Sequence, residues 1–98
     1  MIKHVNTSEF NEEIKKNSKV LVDFYADWCG PCKMLGPVLE NLEKDTDITI
    51  LKVDVDKEPI AYEYNVTSIP TVILFKDGKV DKQAIGFMRL DELKEFVK

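Results

Sequence analysis

Cys29 and Cys32 are the only two cysteines of the chain, and they stand three positions apart. Residues i and i+3 of a helix hold their Cβ atoms roughly 5–6 Å apart, so a pair in the first helical turn closes to a disulfide with modest adjustment. It reopens without refolding the rest. The surrounding pattern predicts that placement, because a helical period runs through Met34, Leu35, Val38, Leu39 and Leu42. Pro31 suits the start of that helix, where its missing N–H is harmless and its fixed φ is already helical. Cys29 then precedes the helix and faces its free N–H groups. Those donors and the helix dipole favour a thiolate, so Cys29 is the expected attacking sulfur, with a lowered pKa. Cys32, one turn further in, is the expected buried partner.

The pair also has other readings. A mononuclear zinc site needs about four ligands, and beyond the two cysteines the chain offers only His4 and scattered carboxylates, although two chains could share a metal or cluster. An inert bridge across so small a loop restricts the unfolded chain less than a long-range one and stabilises less. Redox chemistry is therefore the favoured role, with no metal and no cofactor.

The element that must carry the pair is residues 20–26. This run of β-branched, aromatic and aliphatic residues has almost no polar alternation and reads as a strand buried on both faces, in the middle of a sheet. Asp23 interrupts it. A carboxylate buried there costs several kcal/mol if it stays ionised, so desolvation should raise its pKa. By itself it reads as a carboxylate satisfied by backbone donors.

Length and composition bound the rest. Ninety-eight residues make a single domain, 1–98, with one modest core. With 44% hydrophobic and 33% charged residues the chain falls outside the disordered and collagen-like classes. A net charge of −4 argues against a nucleic-acid partner, which needs a basic patch for counterion release. No run approaches the roughly 18 apolar residues of a membrane span, and the first residues lack the apolar core of a signal peptide. The expectation is a cytoplasmic monomer away from the membrane, where a Cys-x-x-Cys near a βαβ pattern reads as a redox or metal motif.

In chain order, residues 2–5 read as an edge strand, and Asn6 and Thr7 as caps of a helix with Phe10 and Ile14 on its buried face. That helix should stop near Asn17 and Ser18. The cysteine-bearing helix should run to about Lys44 and kink at Pro37, with Asp45, Thr46 and Asp47 forming a turn. Residues 48–53 form a second apolar strand, which completes a βαβ unit with parallel strands. Pro59 opens a short helix through Tyr64, and Asn65 is a left-handed terminator. Residues 71–75 and 80–85 flank Asp77-Gly78, a strong hairpin signal. Gly86 suggests a bulge or a close backbone approach. Leu90, Leu93, Phe96 and Val97 mark the buried stripe of a closing helix.

At this point the residues carry a family likeness. Trp28-Cys29-Gly30-Pro31-Cys32-Lys33, preceded by Val22-Asp23-Phe24, resembles the active-site signature of thioredoxins. The similarity extends, in the same order and spacing, to Lys52-Val53-Asp54-Val55-Asp56, Ile69-Pro70-Thr71, Phe75-Lys76-Asp77-Gly78 and Gly86, and so spans nearly the whole chain. It implies the thioredoxin fold, an α/β architecture with a central mixed β-sheet flanked by helices on both faces, in agreement with the order βαβαβαββα. It also implies a protein-disulfide reductase that exchanges its dithiol with disulfide-containing target proteins and is recharged by a separate thioredoxin reductase.

The resemblance assigns roles that spacing alone does not. It implies that Asp23 takes part in proton transfer to and from Cys32, through a water, with Lys52 from the neighbouring strand nearby. Taken alone, Lys52 reads as a surface lysine. It implies a cis Pro70 packed against the cysteines, whereas only about 5–6% of X-Pro bonds in folded proteins are cis. Backbone groups of Ile69 would pair with an extended substrate segment. Trp28, Ile69, Gly86 and Phe87 would border an apolar docking surface, with Gly30 and Pro31 among the substrate-binding positions. Gly30-Pro31 favours the reducing end of the family, because a histidine in that slot would stabilise the thiolate.

Several positions depart from the commonest family pattern: Tyr25 stands where tryptophan is frequent, Ser68 replaces a usual glycine, and Phe87 follows Gly86 where a smaller residue is typical. Arg89 occupies the place of a capping Ser or Thr, so the last helix is expected to fray there. His4 reads as structural. Two other functions remain on the table, a binding module or assembly subunit that uses the fold without its thiols, and an oxidase or isomerase of secreted proteins. The latter is disfavoured by Gly30-Pro31 and by the missing export signal.

Overall fold

The computed structural model describes all 98 residues. Nine elements follow one another: β1 (Ile2–His4), α1 (Thr7–Lys16), β2 (Lys19–Tyr25), α2 (Gly30–Thr46), β3 (Thr49–Asp54), α3 (Ile60–Glu63), β4 (Thr71–Lys76), β5 (Lys79–Ile85) and α4 (Leu90–Phe96). The strands form one sheet in the order β1-β3-β2-β4-β5. β2 lies at its centre, as its unbroken apolar run requires. It pairs parallel with β3 and antiparallel with β4, so the sheet is mixed.

Alternate residues of a strand face opposite sides of a sheet, and here each side has its own helices. Val20, Val22 and Phe24 of β2 join Leu51 and Val53 of β3 and Ile73 and Phe75 of β4 in a core with Phe10 and Ile14 of α1 and Ile60 and Ala61 of α3. Leu21, Ile50, Val72 and Leu74 point the other way, onto Leu35, Leu39 and Leu42 of α2 and Leu93 of α4. Burying each such large side chain contributes about 1.5–3 kcal/mol. Phe10 adds edge-to-face contacts with Tyr64 and Phe75 at 5.7 and 5.6 Å between centroids.

Local signals end the elements much where chemistry demands. Asn6 caps α1 in a capping box, accepting from the Glu9 N–H at 2.9 Å while the Glu9 carboxylate accepts from the Asn6 N–H at 3.0 Å. Asn65 is left-handed at φ 56°. Asp77 and Gly78 have φ of 52° and 79°, which a two-residue hairpin needs in order to match strand twist.

Three expectations require correction. The helix bearing the cysteines does not give way to a turn at Asp45; it continues to Thr46, and Asp47 ends it in the left-handed region at φ 57°. The Thr46 hydroxyl donates back to the Leu42 carbonyl at 2.6 Å, which satisfies it within the helix. The bulge lies away from Gly86: Leu74 pairs with Lys82 and Phe75 with Val80, so Asp81 is the extra residue. Gly86 meets the other need of a glycine, a φ of 96°, and a Cβ there would touch nothing within 4 Å. The start of α4 is held rather than frayed. Arg89 has only donors and cannot cap an N–H, but the Glu92 carboxylate accepts from its backbone N–H at 2.9 Å, and its guanidinium pairs with Asp91 at 3.1 Å.

Candidate active site

The chain leaves the sheet at the carboxyl end of its central strand, β2, and the next residues build the site. Cys29 is the N-cap of α2, with extended backbone at φ −90° and ψ 113°, followed by Gly30 and Pro31 in the first exposed helical positions. Its Sγ accepts from the Cys32 N–H at 3.2 Å, the place a capping Ser or Asp oxygen would take. The helix therefore directs one of its free donors, the Cys32 N–H, at this sulfur. Cys29 and Cys32 form a disulfide, with their Cα atoms 5.2 Å apart.

Burial distinguishes the two cysteines less than expected. In this oxidised form Cys29 is 5% exposed and Cys32 3%. Their surroundings differ instead. Cys29 receives the helix N–H, whereas Cys32 lines a pocket with His4, Tyr25, Ala26, Lys33, Gly36 and Lys52. Ala26 and the disulfide form a small apolar cluster against which Tyr25, Val55 and Ile69 pack.

Asp23 is fully buried, and neither of its carboxylate oxygens has a hydrogen-bond partner. The reading of a carboxylate satisfied by backbone donors is thus overturned. The Lys52 ammonium stands 3.8 Å away, an ion pair without a hydrogen bond, on a side chain only 16% exposed. Burial pushes the Asp23 carboxyl up to about 6, against the opposing pull of Lys52. Lys52 is therefore no surface lysine. Its ammonium also sits 4.9 Å from the centre of the Tyr25 ring.

The Ile69-Pro70 bond is cis, Pro70 is buried, and Ile69 touches the cysteine cluster. The Gly86 N–H donates to the Pro70 carbonyl at 2.8 Å, which ties the two flanking loops together. Phe87 is 41% exposed beyond them. Trp28 is 70% exposed, and its indole N–H donates to Asp56 on the loop after β3 at 2.8 Å.

Two residues of this neighbourhood escaped the reading of the residues. Asp56 anchors Trp28, and its own N–H is held by the Asp54 carboxylate at 2.9 Å. His4 hydrogen-bonds the Tyr25 hydroxyl through Nδ1 at 3.0 Å and reaches the Cys32 pocket. Asp56 closes the matched stretch Lys52-Val53-Asp54-Val55-Asp56, which gave it no role of its own, whereas His4 lies in no motif and only the strand register draws it to the site.

As a chemical device the site offers a sulfur at a helix N-terminus, a second sulfur facing a pocket, and an unsatisfied buried carboxyl beside a lysine. No group of three or more His, Cys, Asp or Glu side chains is gathered in a position to hold a metal. No helix is long and apolar enough to cross a membrane.

Comparison with known proteins points the same way. The family model described as Thioredoxin matches residues 1–98. A thioredoxin of Mycoplasmoides gallisepticum is 51% identical over 99% of this chain and 100% of its own length. One from Chlamydia trachomatis is 50% identical over 95% of this chain and 92% of its own. Among solved structures, a point mutant of a thioredoxin from Halobacterium salinarum superposes with a TM-score of 0.94 at 41% identity, over 98% of this chain and 87% of that one.

Proposed function

The chain belongs to the thioredoxin family and is a thiol–disulfide oxidoreductase, and from that premise we propose how its residues divide the reaction. The Cys29 thiolate attacks one sulfur of a disulfide in a target protein and expels the other as a thiolate. Cys32, having lost its proton to Asp23, then attacks the Cys29 Sγ. The Cys29–Cys32 disulfide forms and the second target thiolate leaves. Two electrons pass from the dithiol to the target, and two protons follow. A separate reductase returns the electrons, so no further cofactor is invoked.

The observation that carries this reading is the pairing of Cys29 at the cap of α2 with a buried, unsatisfied Asp23 on the strand that feeds the helix. A carboxyl held at about 6 is ionised near neutrality and is still basic enough to receive a proton. Targets dock as extended segments against the backbone of Ile69, bordered by Trp28, Gly30, Pro31, Pro70, Gly86 and Phe87. The protein acts as a monomer and single domain, carrying electrons in the cytoplasm, where reductants keep such a pair open.

Cys32→Ser tests the reading. The variant should attack once and then accumulate a mixed disulfide between Cys29 and the target, seen by non-reducing electrophoresis and mass spectrometry. Normal multiple-turnover reduction of insulin by this variant would overturn the two-cysteine scheme. Activity of a Cys29→Ser, Cys32→Ser double variant in complementing a reductase-dependent cell would favour a binding module instead.

A further inference from the structure

The pocket that Cys32 faces has a wall that the reaction scheme leaves unused. Across three parallel strands, His4 of β1, Lys52 of β3 and Asp23 of β2 are register partners, so their side chains share one row on one face of the sheet. Tyr25, two residues after Asp23, lies on the same face one step nearer the cysteines. The hydrogen bond between His4 Nδ1 and the Tyr25 hydroxyl, at 3.0 Å, therefore joins the two residues that flank Lys52. The two rings also meet edge to face, 5.7 Å between centroids. A lysine side chain is long and flexible, and its strongly hydrated ammonium tends to reach for water. Here the Tyr25 ring lies 4.9 Å from its ammonium, and Asp23 lies 3.8 Å away, beyond hydrogen-bond reach.

We propose that His4 and Tyr25 are positioning residues for the resolving step: His4 braces the Tyr25 ring, and the ring seats the Lys52 ammonium over Asp23. The proposal rests on the reading of Asp23 as the group that takes the proton from Cys32. With Lys52 seated, the Asp23 carboxylate exists at neutral pH, receives the Cys32 proton and passes it to the pocket; the Cys32 thiolate then displaces the target sulfur from Cys29. With Lys52 released to solvent, the same carboxyl stays protonated to higher pH and Cys32 keeps its proton. The charged and titratable groups around the pocket are His4, Tyr25, Asp27, Cys32, Lys33 and Lys52, and Asp54, Lys57 and Glu58 rim the adjoining hollow. Of these, only Lys52 forms an ion pair with Asp23.

The test is the pH profile of the resolving step. The reduced protein is mixed rapidly with a bis(nitrobenzoate) disulfide, whose first thiolate reports attack by Cys29 and whose second reports attack by Cys32. His4→Ala and Tyr25→Phe should each move the midpoint of the second phase to higher pH and slow it about two- to fivefold near pH 6, with the first phase unchanged. Lys52→Met should shift it further, and adding His4→Ala to Lys52→Met should add nothing. Asp23 carboxyl titration by NMR in the oxidised protein should show the same order of midpoints. Superimposable profiles for His4→Ala and the parent, or an equal His4 effect in the Lys52→Met background, would overturn the proposal while leaving the exchange reading intact. A parent protein that releases no second thiolate would defeat the exchange reading itself. His4 is exposed, so its variant should fold.

Discussion

On one face of the sheet β2 presents Val20, Val22 and Phe24, all fully buried against α1 and α3. On the other it presents Leu21, then Asp23, then Tyr25, and the row through Asp23 continues into Lys52 and His4. The same seven-residue strand thus supplies a wholly apolar layer and, one residue out of phase, a layer that turns polar as it nears the cysteines. The first layer holds the fold. The second contains a carboxyl that opposes folding and that an apolar residue of similar size would relieve. Stability is given up on the side where the proposed scheme moves a proton.

Mutations should separate the faces. The largest effect belongs to the apolar one. Phe10→Ala, on a side chain with no exposure and two aromatic partners, should cost about 3–5 kcal/mol in denaturant melts, while alkylation rates of the two thiols in the folded protein stay as they were. A change in thiol reactivity as large as that from an Asp23 variant would mean the faces are not independent.

Asp23→Ala should act in the opposite sense, raising stability at neutral pH by up to about 3 kcal/mol and slowing target reduction. The sign follows from an acid whose folded pKa of about 6 exceeds its ordinary 3.8. Folding holds the proton more tightly than unfolding does, so the native state loses stability as pH climbs between those values. Below about 3.8 the deficit is absent, and the advantage of the variant should vanish there. Lower stability of the variant at pH 7 would remove the comparison's foundation. The smallest effect is at neither face: Asn6→Ala deletes half of the α1 capping box and should cost about 1 kcal/mol, with exchange kinetics unaltered.

Much of this was legible in the chain. The apolar run before the cysteines located the central strand, Asp77-Gly78 marked the hairpin, and Asn6 and Asn65 marked helix ends, because each signal is local and its cause lies in the residue itself. The site was legible to the extent that it is local too. Cys29, Pro31 and Cys32 announce their own geometry. Lys52 did not, since a lysine on a strand reads as exposed until its neighbours across the sheet are known. His4 reads as structural for the same reason: its place beside Lys52 comes from the pairing of β1 with β3, far apart in the chain, and no stretch of sequence near His4 records it. Thr46 and Asp81 misled by residue type, one held in a helix by its own hydroxyl and the other forming a bulge where a glycine further on had seemed the better candidate.

β1 has only three residues, and it pairs with β3 rather than with the strand that follows it in the chain, so that Ile2 lies beside Ile50 and His4 beside Lys52. During synthesis the amino-terminal strand therefore has no place to dock until residues some way past the cysteines have left the ribosome and β3 has settled against β2. Chain order and pairing order thus part company: β1 waits on β3, and that pairing brings His4 to the cavity behind Cys32.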